Sequence, residues 1–206
     1  MVFEDRAQAG ELLAQNLTRF KGKGGVIYVL PRGGVVVGRP VADRLDLPLD
    51  LIIVRKIGHP SSKEYALGAV AEHTEVLNVA EIGDVDKEWL NTEIERQKEE
   101  IRRRKRIYYG GHQAISANGK IAILVDDGIA TGYTMEVAIK EIKLQNPQKI
   151  VVAVPIVSPD VARRIEEEVD ELIALDISLD FLGSVGAYYM NFPQVEDEEV
   201  IELLKK

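Results

Sequence analysis

Two adjacent carboxylates followed by a run of small residues carry the most specific chemistry in this chain. Asp126 and Asp127 stand where a continuous apolar run, Ile121-Ala122-Ile123-Leu124-Val125, stops. Gly128, Ala130, Thr131, Gly132, Tyr133 and Thr134 follow, and helical spacing begins at Met135, with Val137, Ala138, Ile142 and Leu144 available for a core face. A short uninterrupted apolar run reads as a strand buried on both faces. The order is therefore buried strand, acidic pair, small-residue loop, helix. Small residues let the backbone approach a ligand. A helix that starts near Tyr133 or Thr134 leaves N–H groups unpaired beside the positive end of its dipole, and phosphate is the usual anion there. Thr131 and Thr134 add hydroxyl donors. The carboxylates repel phosphate, but they accept hydrogen bonds from hydroxyl groups or hold a hydrated magnesium ion. Phosphate on one side and hydroxyls or magnesium on the other suggest a sugar phosphate.

Two other strand ends carry cations. Val26-Ile27-Tyr28-Val29-Leu30 runs into Pro31-Arg32-Gly33-Gly34, and a helix is expected from Val35 to about Leu45. Paired glycines permit unusual backbone angles and expose N–H groups. A plain strand-to-helix turn with a solvated Arg32 is the simpler reading. Leu51-Ile52-Ile53-Val54 ends in Arg55-Lys56. Arginine gives an oxyanion bidentate contacts and lysine gives it a point charge; a charged loop start is the alternative.

The string VDDGIATGYTM closely resembles the phosphoribosyl-pyrophosphate (PRPP) motif of type I phosphoribosyltransferases. LPRGG resembles the pyrophosphate loop of that family, and VRKIGHP resembles the Arg-Lys-x-Gly element of its adenine-specific members. The resemblance implies a Rossmann-like α/β fold, a parallel sheet flanked by helices. It implies that Asp126 and Asp127 hold the ribose and a magnesium ion indirectly. Gly128, Ala130, Thr131, Gly132, Tyr133 and Thr134 would cradle the 5-phosphate. Arg32, Gly33, Gly34, Arg55 and Lys56 would face the pyrophosphate. The implied reaction transfers a 5-phosphoribosyl group from PRPP to a nucleobase or amine nitrogen with release of pyrophosphate, as in nucleotide salvage. Members for hypoxanthine and guanine commonly carry an aspartate where this chain has Ala130, which disfavours 6-oxopurines.

The positioning elements follow from pattern. Asp5 caps an expected helix to Phe20 with Leu12, Leu13 and Leu17 as its stripe. Residues 21–25 read as a linker. Residues 58–64 read as a flexible loop that closes over the substrates, with Lys63, Glu64 and Tyr65 to watch, and residues 67–79 as a hairpin carrying it. A long helix is expected over 86–108, with Glu99–Arg103 and Glu100–Arg104 pairs. Strands are expected at 149–155 and 172–175, with a helix starting at Ser158-Pro159 between them. The segment 179–192 is expected as a hood in which Val185, Tyr188 and Tyr189 meet the base by stacking; packing of a C-terminal flap, or a homodimer contact, is the other reading. A last helix spans 196–204. The whole reads as one domain over 1–206, with a flexible and helical insertion at about 58–118.

Composition bounds the partners. The chain has 206 residues, 46% of them hydrophobic and 29% charged, which is ordinary for a soluble globular protein. A net charge of −8 disfavours nucleic acid and anionic membranes as partners. The absence of cysteine removes disulfides and thiolate metal sites and fits a cytoplasmic protein. His59, His73 and His112 are too scattered for a metal site. No apolar run reaches a membrane span, and the first residues lack the apolar core of a signal peptide. The basic run Arg102-Arg103-Arg104-Lys105-Arg106, with Tyr108 and Tyr109 to stack on bases, supports the competing reading of a PRPP-sensing regulator that binds RNA or a protein without turnover. A phosphohydrolase or receiver-like use of Asp126 and Asp127 fits poorly with Arg55-Lys56.

Overall fold

The structure, a computed structural model, describes residues 1–111 and 113–205, with the backbone alone at Lys63 and Glu64. His112 therefore lies outside the described residues.

Five parallel strands form the main sheet: β1 (Gly25–Val29), β2 (Leu49–Leu51), β6 (Ile121–Val125), β7 (Lys149–Val157) and β8 (Glu171–Ile177). Their order is β2-β1-β6-β7-β8. β1 and β6 are buried at every position, as expected for strands covered on both faces. Alternation sorts their side chains into two layers. Ile27, Val29, Ile123 and Val125 pack with the helix side of α1 (Arg6–Asn16) and α2 (Gly33–Leu45). Tyr28, Ala122 and Leu124 pack on α4 (Tyr133–Lys143) and α5 (Pro159–Glu166).

The chain leaves β1 to one side, through α2 to β2, and later enters β6 on the other side of β1. The strand order thus reverses between β1 and β6. The carboxyl ends of these two strands flank the crevice where ligands bind in open α/β sheets. Residues 31–34 and 126–134, the two glycine-bearing loops, both lie there.

Three regions differ from expectation. Of the third apolar run only Leu51 joins the sheet, as the last residue of β2; Ile52 still donates to Val29 O at 3.0 Å, and the chain then leaves. Arg55 and Lys56 do not end a sheet strand. They open β3 (Arg55–His59), which pairs antiparallel with β4 (Ser62–Val70), itself paired with β5 (Glu75–Leu77). The expected loop over 58–64 is therefore a β-hairpin turning at Pro60 and Ser61, with register shifts on both sides of Gly58. The hairpin expected over 67–79 is present as β4 and β5. This small sheet packs on α4 through Ala69, Ala71 and Val137, joined by Tyr133.

Helix α3 (Lys87–Tyr109) is capped by Asp86, which accepts from Trp89 N–H at 2.7 Å. Four of the five residues of its basic run are paired: Glu100 holds Arg103 and Arg104, Glu99 faces Arg102 at 3.7 Å, and Lys105 meets Glu72. The expected Glu99–Arg103 pair is thus replaced by Glu99–Arg102. Tyr108 offers no stacking face either, and Tyr109 is half-buried. Tyr108 is buried and donates to Asp197 at 2.6 Å, and Tyr109 donates to the buried Asp50, which also holds Ile115 N–H. Among the described residues no helix is long and apolar enough to cross a membrane.

Gly10 sets the seating of α1. A Cβ there would stand 2.5 Å from Val37 O of α2, so only glycine permits this approach. Gly10→Ala is expected to cost ~1–3 kcal/mol by overpacking. A lowered thermal midpoint with the α1–α2 crossing opened would be the result; an unchanged midpoint would mean that the helices have slack.

Candidate functional site

β6 ends at Val125 and delivers two carboxylates into the crevice. Leu30 N–H donates to Val125 O at 3.1 Å, which ties the glycine turn after β1 to the acidic pair. The contact is close. A Cβ on Gly33 would stand 2.0 Å from Asp127 Oδ2, and one on Gly34 would stand 3.0 Å from Asp126 Oδ1. The two glycines are thus the wall against which the carboxylates sit. The Pro31–Arg32 peptide between strand and wall is cis.

Asp126 Oδ1 accepts the N–H of Asp127 at 2.9 Å. Burial, and then the neighbouring charge of Asp127, push the Asp126 carboxyl well above the usual range. Burial also raises Asp127, opposed by Arg6. That arginine is the main residue absent from the sequence reading. Arg6 opens α1, is 8% exposed, and donates through Nε to Asp127 Oδ2 at 2.7 Å and through a terminal nitrogen to Pro193 O at 2.7 Å. Its guanidinium lies 3.5 Å from the centre of the Phe192 ring. A trace of it exists in sequence. Arg6 shares one helical stripe with Ala9, Leu13 and Leu17, and a charge on a core-facing stripe calls for a partner.

The small-residue loop is held from three sides. Ile129 N–H donates to Ile156 O at 2.9 Å, and the side chains of Ile156 and Val185 press on Gly128. Gly132, at φ 90°, lies in the left-handed region and precedes α4, whose first helical bond runs from Glu136 N–H to Gly132 O. The N–H groups before Glu136 lie at the helix start, where intrahelical acceptors are lacking. Arg164 of α5 donates to Thr131 O at 3.0 Å and pairs with Glu136. This strap, from a helix that the sequence reading left without a role, fixes the loop's outer side.

The other expected site residues are placed as follows. Arg32 stands beside the glycine wall but reaches Glu196 at 3.3 Å and Asp197 at 3.6 Å, at the start of α6 (Asp197–Leu204). Arg55 turns to α3, where its Nε donates to Gln97 Oε1 at 3.0 Å. Lys56 follows it on the hairpin. The side chains of Lys63 and Glu64 lie outside the described ones, and Tyr65 is exposed, edge-on to His59. The hood expectation needs correction. Tyr188 and Tyr189 are buried and cannot stack on a base. Tyr188 bonds Leu182 N, Ser178 Oγ and Asp180 O and stacks on Phe181. Tyr189 packs between Phe3 and Phe192 and donates to Asp127 O at 2.6 Å. Of the hood set Val185 borders Gly128 of the loop and Tyr189 holds the carbonyl of Asp127 from behind.

A sheet that reverses at an acidic pair, faced by a glycine turn and backed by an open helix start, defines the class of a type I phosphoribosyltransferase fold. The chain belongs to that family: the model of the phosphoribosyl transferase domain matches residues 4–191. It is similar over 99% of its length to TT1426 from Thermus thermophilus, with 41% identity, a TM-score of 0.81 and 98% of that chain covered. A Mycobacterium tuberculosis H37Rv relative that carries a provisional phosphoribosyl transferase name is 39% identical over 208 residues. That match covers 100% of this chain and 47% of the relative, so the chain spans about half the length of the curated relatives it matches. A purine phosphoribosyltransferase from Pyrococcus horikoshii, at 20% identity and a TM-score of 0.51 over 93% of this chain and 89% of that one, shares the fold.

Two outcomes follow from the electrostatics. A carboxyl whose native pKa is raised gives most stability in acid and loses it as pH rises through that pKa. Asp126→Asn removes the burden of a buried charge. The variant should therefore melt higher than the parent at about pH 8, and the gain should shrink towards about pH 5. A lower melting point at both pH values would mean that the carboxylate is better solvated than its geometry indicates. Arg6→Met leaves Asp127 buried without its cation and is expected to cost about 3 kcal/mol or more. The loss should be smaller in acid, where Asp127 can take up a proton.

Proposed function

We propose that this protein transfers a 5-phosphoribosyl group from PRPP to a nitrogen acceptor and releases pyrophosphate. The observation that carries the reading is the packing of the Gly33–Gly34 wall onto the Asp126–Asp127 pair at the switch point. It sets a site for sugar hydroxyls beside two sets of backbone donors. Asp126 and Asp127 accept the ribose hydroxyls. The amides of residues 130–134, with the Thr131 and Thr134 hydroxyls, hold the 5-phosphate at the start of α4. The Gly33 amide and Arg32 face the leaving pyrophosphate, Gly34 N–H being spent on Leu30 O at 3.1 Å, and Arg55 and Lys56 add positive potential from the hairpin. The C1–oxygen bond breaks with its electron pair leaving on pyrophosphate. The acceptor nitrogen's lone pair forms the C1–nitrogen bond, and the nitrogen sheds its proton. The residues act by electrostatic stabilisation of charge that develops on the leaving group; no covalent nucleophile is required.

Magnesium fits this donor set only indirectly. Among the described residues no cluster of three or more carboxylate, histidine or cysteine groups is gathered for a metal, and one Asp127 oxygen is held by Arg6. Two carboxylates suit an ion that keeps its waters and rides on the substrate's phosphates. When bound, it would neutralise charge on the pyrophosphate. Asp126 and Asp127 would hold it through water.

The reading places few demands on a base-stacking hood, because its two tyrosines are spent on the fold. Ala130 leaves adenine, a pyrimidine or a non-nucleobase amine as acceptor. The test is calorimetric titration of PRPP with magnesium into the native protein and into Asp126→Asn/Asp127→Asn. Micromolar binding in the first and a loss of at least roughly tenfold, about 1.4 kcal/mol, in the second is expected. Binding unaffected by the double change would remove the acidic pair from the donor site. Pyrophosphate release on addition of an amine or base would then separate turnover from sensing.

A further inference from the structure

We propose that Arg6 is a positioning residue: it closes one oxygen of Asp127, turns the other towards a sugar hydroxyl, and so sets the site's preference for a hydroxylated ring. This rests on the reading that Asp126 and Asp127 take the hydroxyls of a sugar phosphate.

The polar atoms of Asp127 carry the argument. Its carbonyl accepts the Tyr189 hydroxyl at 2.6 Å, and its N–H donates to Asp126 Oδ1 at 2.9 Å. Its Oδ2 accepts Arg6 Nε–H at 2.7 Å. That oxygen also faces the glycine wall, where a Cβ on Gly33 would stand 2.0 Å from it and 2.9 Å from Arg6 Nε. Among the described residues Asp127 Oδ1 alone of these atoms has no partner. It is not sealed in the core, because the one buried side-chain polar atom without a partner among the described residues is Arg39 Nε. Asp127 Oδ1 is therefore an open acceptor at the crevice. Nothing intrinsic fixes the plane of that carboxyl group, since its terminal torsion is broad. The bond from Arg6 fixes it.

The arginine is itself held well enough to aim another group. Its guanidinium reaches acceptors on two sides, Asp127 Oδ2 and Pro193 O, each at 2.7 Å, and lies 3.5 Å from the centre of the Phe192 ring. Its backbone is fixed by the cap of α1, where Asp5 accepts Gln8 N–H at 2.8 Å, and by the bonds of Phe3 to Tyr188 and Met190. Lysine would keep the charge but not the planar fork that joins two acceptors while lying on a ring. Neither hydrogen bond of the Arg6 side chain goes to residues 128–134, where the phosphate would sit. The hydroxyl half of donor recognition then depends on Arg6, and the phosphate half does not.

Two probes isolate the hydroxyls. Anhydroribitol 5-phosphate keeps both ring hydroxyls of ribose, and tetrahydrofurfuryl phosphate is the same ring and phosphate without them. Each is titrated calorimetrically into the full chain with magnesium present. The native protein is expected to prefer the first by about tenfold or more. Arg6→Lys should cut that preference to about threefold or less, while tetrahydrofurfuryl phosphate binds within about twofold of its native affinity. Asp127→Ala should cut the preference in the same way, and adding Arg6→Lys to it should change nothing further, because the two act through one contact. Phe192→Leu removes the ring beneath the guanidinium at a residue 36% exposed, and it should give a smaller loss of the same kind where Arg6→Lys does not fold. A preference that survives Arg6→Lys, or survives Phe192→Leu where that variant must stand in, overturns the proposal. So does an equal loss of affinity for both probes, which would leave Arg6 as a support of the fold. A native protein that binds the two probes equally, or neither, overturns the sugar-hydroxyl reading and this proposal with it, so the native titration tells the two failures apart.

Discussion

The burden that organises this molecule is the pair of adjacent carboxylates at the end of a buried strand. Like charges side by side repel, and burial adds a desolvation cost to each. The surroundings are arranged to limit both. Glycines on the facing turn remove the side chains that would collide with the oxygens. A backbone N–H is turned to Asp126, and one buried cation is brought to Asp127. Arginine suits that place because it stays charged when buried and has further donors, one of which is taken by Pro193 O. The pair is thus tolerated rather than stabilised. That is the condition expected of a site kept for ligand hydroxyls.

Much of this was legible in sequence because it is local. Buried parallel strands are short apolar runs, and each of β1, β6 and β7 follows one. Loops that must bend sharply or admit another backbone are marked by glycine, as at Gly33, Gly34 and Gly132. The acidic pair and the helix behind it lie within about fifteen residues, so the donor loop reads as a unit. Asp5 could be named as a cap for the same reason.

What failed depends on partners distant in the chain. Gly58, His59, Pro60 and Ser61 have the residue types of a mobile loop, yet pairing with β4 orders them into a hairpin. No local pattern announces that pairing, because the register shifts at Gly58 break the alternation. Arg55 and Lys56 went to the wrong element for the same reason. The hood tyrosines were ambiguous because an aromatic run can face a ligand or a core. Phe3, far off in sequence, decides it by bridging to Tyr189 and covering its ring. Arg6 and Asp127 are 121 positions apart, and the packing of α1 together with the backbone bonds of Phe3 to Tyr188 and Met190 brings them together.

The correction to the hood changes how the site must work. Phe3 N–H donates to Tyr188 O, and Met190 N–H donates back to Phe3 O, both at 2.8 Å, so the start of the chain and the segment 188–191 form one clasp. From that clasp come Arg6 to the carboxylate of Asp127 and Tyr189 to its carbonyl. A segment that holds the donor loop in place is poorly suited to swing over a base, since each opening would expose a buried charge pair. On the proposed reading, recognition of a second substrate falls to elements that carry no such duty. The hairpin and α3 meet that condition. They pack on α4 and on one another, they carry the cations of the crevice rim, and they stand outside the acidic pair's hydrogen-bond network. The charges of the acidic pair tie its surroundings to one arrangement, and the insertion between β2 and β6 carries no such demand.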